Sequence, residues 1–192
     1  MTVKQQTHYF IGIKVPDEMI TEIEKRQKGL ITQFPFQRWV HPLDYHITLA
    51  FLGGIPIEKL RALQQLLEEN IKGSSDFLLH INHLGVFGNH EKPRIFWAGL
   101  EEDMQLNKLR DKVYEICLSL EFTIDSRPFH PHITLARKWE GDKSFSPNLL
   151  DNNSFTINPS NMKVDSIQLF QTHLNQEPKY EVITSYTFAD NH

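Results

Sequence analysis

The five residues HITLA occur twice in this 192-residue chain, at 46–50 within LDYHITLAFLGG and at 132–136 within PFHPHITLARKWE. If residues were drawn independently, such a repeat would arise with a probability on the order of one per cent, so self-similarity constrains every fold considered for the chain. The copies lie 86 positions apart. That is too long a period for a tandem solenoid and about half the chain, which points to an internal duplication with one copy in each half.

Hydrophobic periodicity fills in the two halves. HYFIGIKV (8–15) is β-branched and aromatic and predicts a strand, while PDEMITEIEKRQKGL, opening on Pro16 and Asp17, places apolar residues at helical spacing. The first HITLAFLGG predicts a strand stopped by Gly53 and Gly54. A helix follows, with a stripe of Ile57, Leu60, Leu63, Leu66 and Leu67 and its end at Gly73. In the second half DFLLHINHLGVF and RIFWAGL predict strands, a helix runs from about Asp103 to Leu120, and the second HITLA is again a strand. NMKVDSIQLFQTHL and YEVITSYTF predict a closing hairpin. The polar stretch before them, WEGDKSFSPNLLDNNSFTINPSN, predicts a long loop with one short strand, free to move over a site. The expected fold is α+β and bilobal: duplicated antiparallel sheets about a pseudo-twofold axis, with flanking helices, one shared core and a central cleft, in a single domain over 1–192.

Hydrophobic residues make up 40% of the chain, enough to bury such a core. A formal net charge of −4 supplies no overall basic field, which argues against tight nonspecific binding to long nucleic acid and for a small or end-bound ligand, with a local basic cleft left open. The lone cysteine, Cys117, excludes an internal disulfide and a paired-cysteine zinc site; within LNKLRDKVYEICLSL it reads as a buried apolar residue. The opening MTVKQQTHYFIGIKVP has too short an apolar run for a signal peptide, and no 18-residue apolar span occurs, so a cytoplasmic location is expected.

On a strand of period two, His46, Thr48 and Ala50 share one face while Ile47, Leu49 and Phe51 share the other. The second copy divides in the same way, His132, Thr134 and Ala136 against Ile133 and Leu135. The apolar face belongs to the core. If duplication sets the two strands about a pseudo-twofold axis, the polar faces meet across a groove holding two histidines and two threonines. A single His-x-Thr on a half-exposed strand is ordinary surface chemistry; two identical copies are not. With a pKa near 6.5, one imidazole can accept a proton as the other releases one, and threonine hydroxyls can donate to phosphate oxygens without adding charge. In-line hydrolysis of a phosphodiester needs those parts: a base for water, an acid for the leaving oxygen and donors for the growing negative charge.

HITL at 46–49 and HITL at 132–135, in HITLAFLG and PHITLAR contexts, resemble the doubled motif of the two-histidine phosphoesterase superfamily, and within it the RNA 2',3'-cyclic phosphodiesterase family, formerly called 2'-5' RNA ligase. The likeness spans nearly the whole chain, including YFIGIKV at the start and SIQLFQTHL with YEVITSYTF at the end. It implies a bilobal fold with the site between the lobes and metal-independent opening of an RNA-terminal 2',3'-cyclic phosphate to a 2'-phosphate. It also implies no cofactor, and RNA 3' ends or small cyclic nucleotides as substrate. No membrane or obligate protein partner is implied, and a monomer is expected. By that similarity His46 is the proton donor to the departing 3' oxygen, His132 the base that activates water, and Thr48 and Thr134 the phosphate holders. The residues themselves do not distinguish acid from base.

Neighbouring residues carry weaker signals. Arg137 follows the second motif, where the family often has arginine. Strand parity puts it opposite His132, and only a bend after Ala136 would bring it to the groove. Phe51 stands at the matching place in the first copy; parity predicts it in the core, and the other reading is an aromatic near the cleft that stacks on a nucleobase. His130 shares the face of His132 and is a candidate substrate contact. Arg38, Trp39 and His41 read as loop or lobe-packing residues. Two alternatives stay open. His130-x-His132 could ligate a metal, but a catalytic metal needs a third protein ligand and His46 has no second histidine beside it. A non-catalytic RNA-end-binding module would use the same cleft, although binding alone needs no acid–base pair. Within the enzyme reading, RNA ligation or another small cyclic phosphodiester is a further possibility.

Overall fold

A computed structural model describes residues 7–151, 155, 157 and 161–189. The described strands are β1 (His8–Lys14), β2 (Phe36–Trp39), β3 (His46–Gly54), β4 (Phe77–Gly88), β5 (Pro93–Leu100), β6 (His132–Trp139), β7 (Asn161–Val164), β8 (Ser166–Thr172) and β9 (Tyr180–Thr187). The helices are α1 (Asp17–Ile31), α2 (Ile57–Ile71), α3 (Met104–Ser119) and the short α4 (Asn148–Asp151). All pairings are antiparallel, in the order β7-β4-β5-β6-β3-β1-β8-β9, with β2 pairing β6 beside that path.

The order reads symmetrically about the junction of β6 and β3. β1–α1–β3 and β5–α3–β6 are the same unit, a strand, a covering helix and an antiparallel neighbour, and each unit carries one HITLA strand. β6 and β3 meet through a single pair, Ile47 with Ile133, so the sheet is two halves joined at a narrow waist. The α+β bilobal fold read from the duplication is the one observed.

The helices form where apolar residues recur every three or four positions. α1 buries Met19, Ile20, Ile23 and Leu30; α2 buries Leu60, Leu63, Leu67 and Ile71; α3 buries Leu106, Leu109, Val113, Ile116 and Cys117. Asp103 caps α3, its carboxylate accepting the Leu106 N–H at 2.8 Å. These stripes and the strand residues Ile47, Leu49, Ile133 and Leu135 share one apolar cluster. Ile57, read onto the α2 stripe, sits in its first turn and is 52% exposed. Cys117 is buried, and burial pushes its thiol up to about 12.

Three elements differ from the sequence reading. Phe36–Trp39 is a strand rather than a loop, because β6 offers it a free edge. NMKVDSIQLFQTHL is two strands broken at Asp165: β7 pairs β4, whereas β8 pairs β1 and forms the closing hairpin with β9. Within the polar stretch after Trp139, α4 forms at 148–151; the loop expected to move over the site lies in part outside the described residues. No described helix is long and apolar enough to cross a membrane.

Candidate active site

Ile47 and Ile133 are both fully buried, so the residues on either side of each point away from the core. Antiparallel register carries His46 level with Thr134 and Thr48 level with His132. All four side chains are half-buried on that face. The structure thus brings together the residues of the repeated motif, each histidine beside the other copy's threonine.

Both imidazoles are held in the same way. Nδ1 of His46 donates to the carbonyl of Asp44 at 2.7 Å, and Nδ1 of His132 donates to the carbonyl of His130 at 2.7 Å. A carbonyl can only accept, so each neutral ring keeps its proton on Nδ1 and leaves the Nε2 lone pair free. Each ring can therefore take or give a proton at Nε2 without turning.

The surroundings of the two rings differ. His46 is packed by Phe10, Tyr180 and Phe170, at ring separations of 4.6, 4.9 and 5.7 Å. Burial pushes its pKa down to about 4; the Asp44 carbonyl and carboxylate pull against this, while the His132 and Arg137 charges add to it. His132 is flanked by Phe87 at 4.9 Å and Trp97 at 6.1 Å. Its pKa also lies below the ordinary value, chiefly through burial, with the His130 carbonyl opposing and His130 and Arg137 reinforcing. Trp97 can lie against the sheet because Gly85 and Gly99 stand beneath it. A Cβ at Gly85 would fall 2.2 Å from the indole ring, and one at Gly99 would fall 2.2 Å from the His83 imidazole and 2.6 Å from the indole.

Strand parity fails in both copies at the same place. β1 pairs Ile11 with Ala50 but Gly12 with Thr48, and β5 pairs Phe96 with Ala136 but Trp97 with Thr134, so Leu49–Ala50 and Leu135–Ala136 are bulges. A bulge adds a residue to one strand and reverses the alternation beyond it. Leu and Ala are then buried together in each copy, which overturns the reading that puts Ala50 and Ala136 on the groove face. Phe51, expected in the core, is instead 53% exposed and faces the groove. Arg137 is brought round in the same way, and its charge acts on both histidines.

His130 is exposed at the mouth, its ring edge-on to Trp97 at 5.3 Å and Phe87 at 5.4 Å. Beyond His132 and Thr48 the groove opens into a cavity of about 420 Å³ walled by Phe51, Phe87, Tyr114, Phe129 and His130. Its size and aromatic lining suit a planar, largely apolar group. Among the described residues, no group of three or more histidine, cysteine or acidic side chains is placed to hold a metal ion. Trp39 packs on Phe36 and Phe96, and His41 Nδ1 accepts the Leu43 N–H at 3.3 Å, so both serve the packing read for them.

Sequence reasoning missed Asp44. Its carboxylate is buried, 5% exposed, and accepts the N–H groups of Lys179, at 2.9 Å to each oxygen, and Tyr180 at 3.0 Å. It thereby ties the β8–β9 turn to the turn that orients His46. The available signal was positional: Asp44 stands two residues before the first histidine, as His130 does before the second. Phe87 and Trp97 were also missed, since nothing in β4 or β5 repeats the motif.

Comparison with known proteins agrees with this geometry. The sequence pattern of the 2'-5' RNA ligase superfamily matches residues 15–176. A protein of Bacillus subtilis named RNA 2',3'-cyclic phosphodiesterase is 37% identical over 95% of this chain and 97% of its own length. One of Geobacillus stearothermophilus with the same name is 42% identical over 95% of this chain, which spans 57% of that relative. Among solved structures, E. coli LigT complexed with 3'-AMP superposes with a TM-score of 0.78 at 22% identity, covering 96% of this chain and 99% of that one. TT0787 of Thermus thermophilus gives 0.77 at 23% identity, covering 96% and 100%. The match over residues 15–176 and the identity to the Bacillus subtilis protein show that the chain belongs to the 2'-5' RNA ligase superfamily.

Proposed function

We propose that this protein is an RNA 2',3'-cyclic phosphodiesterase, hydrolysing an RNA-terminal 2',3'-cyclic phosphate to a 2'-phosphate by paired histidine acid–base catalysis. The observation that carries the reading is the matched pair of imidazoles, each with Nδ1 tied to a backbone carbonyl and Nε2 free, on facing copies of one motif. The names of the two relatives support the substrate class.

In the proposed reaction, His132 Nε2 takes a proton from water as its oxygen bonds to phosphorus, and the P–O3' bond breaks as His46 Nε2 gives its proton to the leaving oxygen. Thr48 and Thr134 donate to the non-bridging oxygens, and Arg137 opposes the charge that grows there. His132 ends protonated and His46 neutral, and exchange with solvent resets the pair. In the free site burial leaves His46 poorly protonated at neutral pH; the bound phosphate anion stabilises the imidazolium and loads the acid. The two imidazoles supply both proton transfers without a Lewis acid. His130 and Phe51, which line the aromatic cavity, contact the terminal nucleoside in this reading. The halves act as one domain over 1–192, as a cytoplasmic monomer.

The test is turnover of nucleoside 2',3'-cyclic phosphates and cyclic-phosphate-ended RNA in excess chelator, with the product position identified. A 2'-phosphate product is expected. Tight retention of the RNA end without turnover would replace this reading with a binding module, and collapse of the rate with chelator would replace it with a metal hydrolase.

A further inference from the structure

The cleft has a second arm whose chemistry differs from the aromatic one. Beside Asp44 and Tyr180, which hold His46, lies a recess of about 60 Å³ also lined by Arg38, Arg137, Lys179 and Glu177. It is much smaller than the aromatic arm, about 60 Å³ against about 420 Å³, and its lining is charged where that one is aromatic. Arg38 and Arg137 stand directly opposite each other across β2 and β6. Like charges so placed are destabilising unless an anion lies between them. Lys179 is delivered to the same recess by the turn that Asp44 anchors.

Among the described residues, none of these three cationic side chains makes a hydrogen bond or an ion pair. The carboxylate of Asp44 is already engaged by two backbone N–H groups, which leaves Glu177 as the one other carboxylate lining the recess. Three cationic side chains against the carboxylates of Asp44 and Glu177 leave the recess a formal excess of one positive charge, in a chain of net charge −4, and such a local field attracts an anion despite the acidic whole. The guanidinium forks match the oxygens of a phosphate in particular.

We propose that this recess is a second phosphate site, which takes the phosphate on the 5' side of the terminal nucleotide while the cyclic phosphate lies between the histidines. The proposal rests on the cyclic phosphodiesterase reading and narrows it. The substrate class is a nucleotide end carrying phosphate on both edges of its sugar, as the end of a strand does, in preference to a lone nucleoside 2',3'-cyclic phosphate. The aromatic arm then takes the base, and the cationic arm takes the continuing backbone.

Two measurements test this. Adenosine 2',3'-cyclic phosphate with and without a 5'-phosphate should differ in kcat/KM by about tenfold or more in favour of the 5'-phosphorylated form, the effect of at least one charge-assisted hydrogen bond. The difference should lie mainly in KM. Independently of turnover, calorimetry should show adenosine 3',5'-bisphosphate binding at least about tenfold more tightly than adenosine 3'-monophosphate, with the advantage shrinking as salt rises. In Arg38→Ala and Lys179→Ala both ratios should fall towards one. Arg137 is unsuitable for this test because its charge also acts on both histidines. Equal affinities in the parent protein, or a preference that survives both substitutions, would overturn the second site. Absence of turnover with a retained, substitution-sensitive bisphosphate preference would instead uphold it and overturn the cyclic phosphodiesterase reading.

Discussion

Across the waist of the molecule, His46 lies level with Thr134 of the other copy, and not beside a partner from its own motif. An oxygen held by Thr134 is therefore held next to the His46 ring, and the same holds for Thr48 and His132. His46→Ala and His132→Ala should each lower kcat by at least ~100-fold, the lower end for loss of a general acid or base. The threonine-to-alanine variants should be milder. In double-mutant cycles His46 should couple more strongly with Thr134 than with Thr48. Near-normal turnover in either histidine variant, with an unchanged thermal melt, would refute the paired mechanism.

Anion binding should take up a proton at pH 7. His46 is depressed to about 4 in the free site and His132 also lies below its ordinary value, whereas the productive complex needs one imidazolium. Calorimetry with adenosine 3'-monophosphate in buffers of different ionisation enthalpy should show this uptake. The bell-shaped profile of kcat/KM, which reports the free enzyme, should be centred at lower pH than that of kcat. His132→Ala should flatten the acid limb and His46→Ala the alkaline limb. Buffer-independent binding enthalpy would count against substrate-loaded acid catalysis.

The same burial makes the fold acid-sensitive. Because the folded-state pKa of His46 is lower than the ordinary 6.5, the unfolded chain binds more protons between the two values. The stabilisation is full above about pH 6.5 and is lost as pH falls towards 4, by an amount on the order of 3 kcal/mol. His46→Gln should flatten this part of the stability curve in denaturant titrations. An unchanged slope would show that His46 is not the group responsible.

Asp44→Ala should unfold at lower denaturant, by about 1–2 kcal/mol, since two part-buried backbone N–H groups lose their charged acceptor. It should also lower kcat more than it raises KM, because the turn that holds the His46 Nδ1 acceptor loosens. Asp44→Asn keeps one acceptor oxygen and should recover part of both effects.

Gly99→Ala places a methyl group where the His83 and Trp97 rings lie, so Trp97 must leave the flank of His132. Overpacking of this kind costs about 1–3 kcal/mol. Loss of activity beyond the loss of folded protein, together with altered tryptophan fluorescence, is the expected result; an unaltered spectrum and rate would mean that the indole does not support His132.

Much of this architecture can be read from the chain. The repeated motif located both histidines and both threonines, and helical spacing located α1, α2 and α3 to within a residue or two. What could not be read has physical causes. A bulge between two apolar residues leaves no mark in composition, so parity sent Phe51 and Ala50 to the wrong faces. Arg137 carries a clue that the sequence reading applies only to its own copy: a guanidinium does not occupy a core-facing slot, so its presence there calls for a bend after Ala136, and the same reversal is not carried over to Phe51. The role of Asp44 depends on N–H groups 135 and 136 positions away, which no local pattern encodes.

The two bulges also bear on how a duplicated molecule handles a directional ligand. A cradle of perfect twofold symmetry receives such a ligand equally well either way round, and half of its encounters are wasted in the unproductive pose. The first position beyond each bulge is a place where the two copies can diverge while facing the groove, without disturbing the buried Leu and Ala that precede it. There one half kept a phenylalanine and the other an arginine. A single pair of letters after an identical word thus gives a symmetric vessel a bow and a stern.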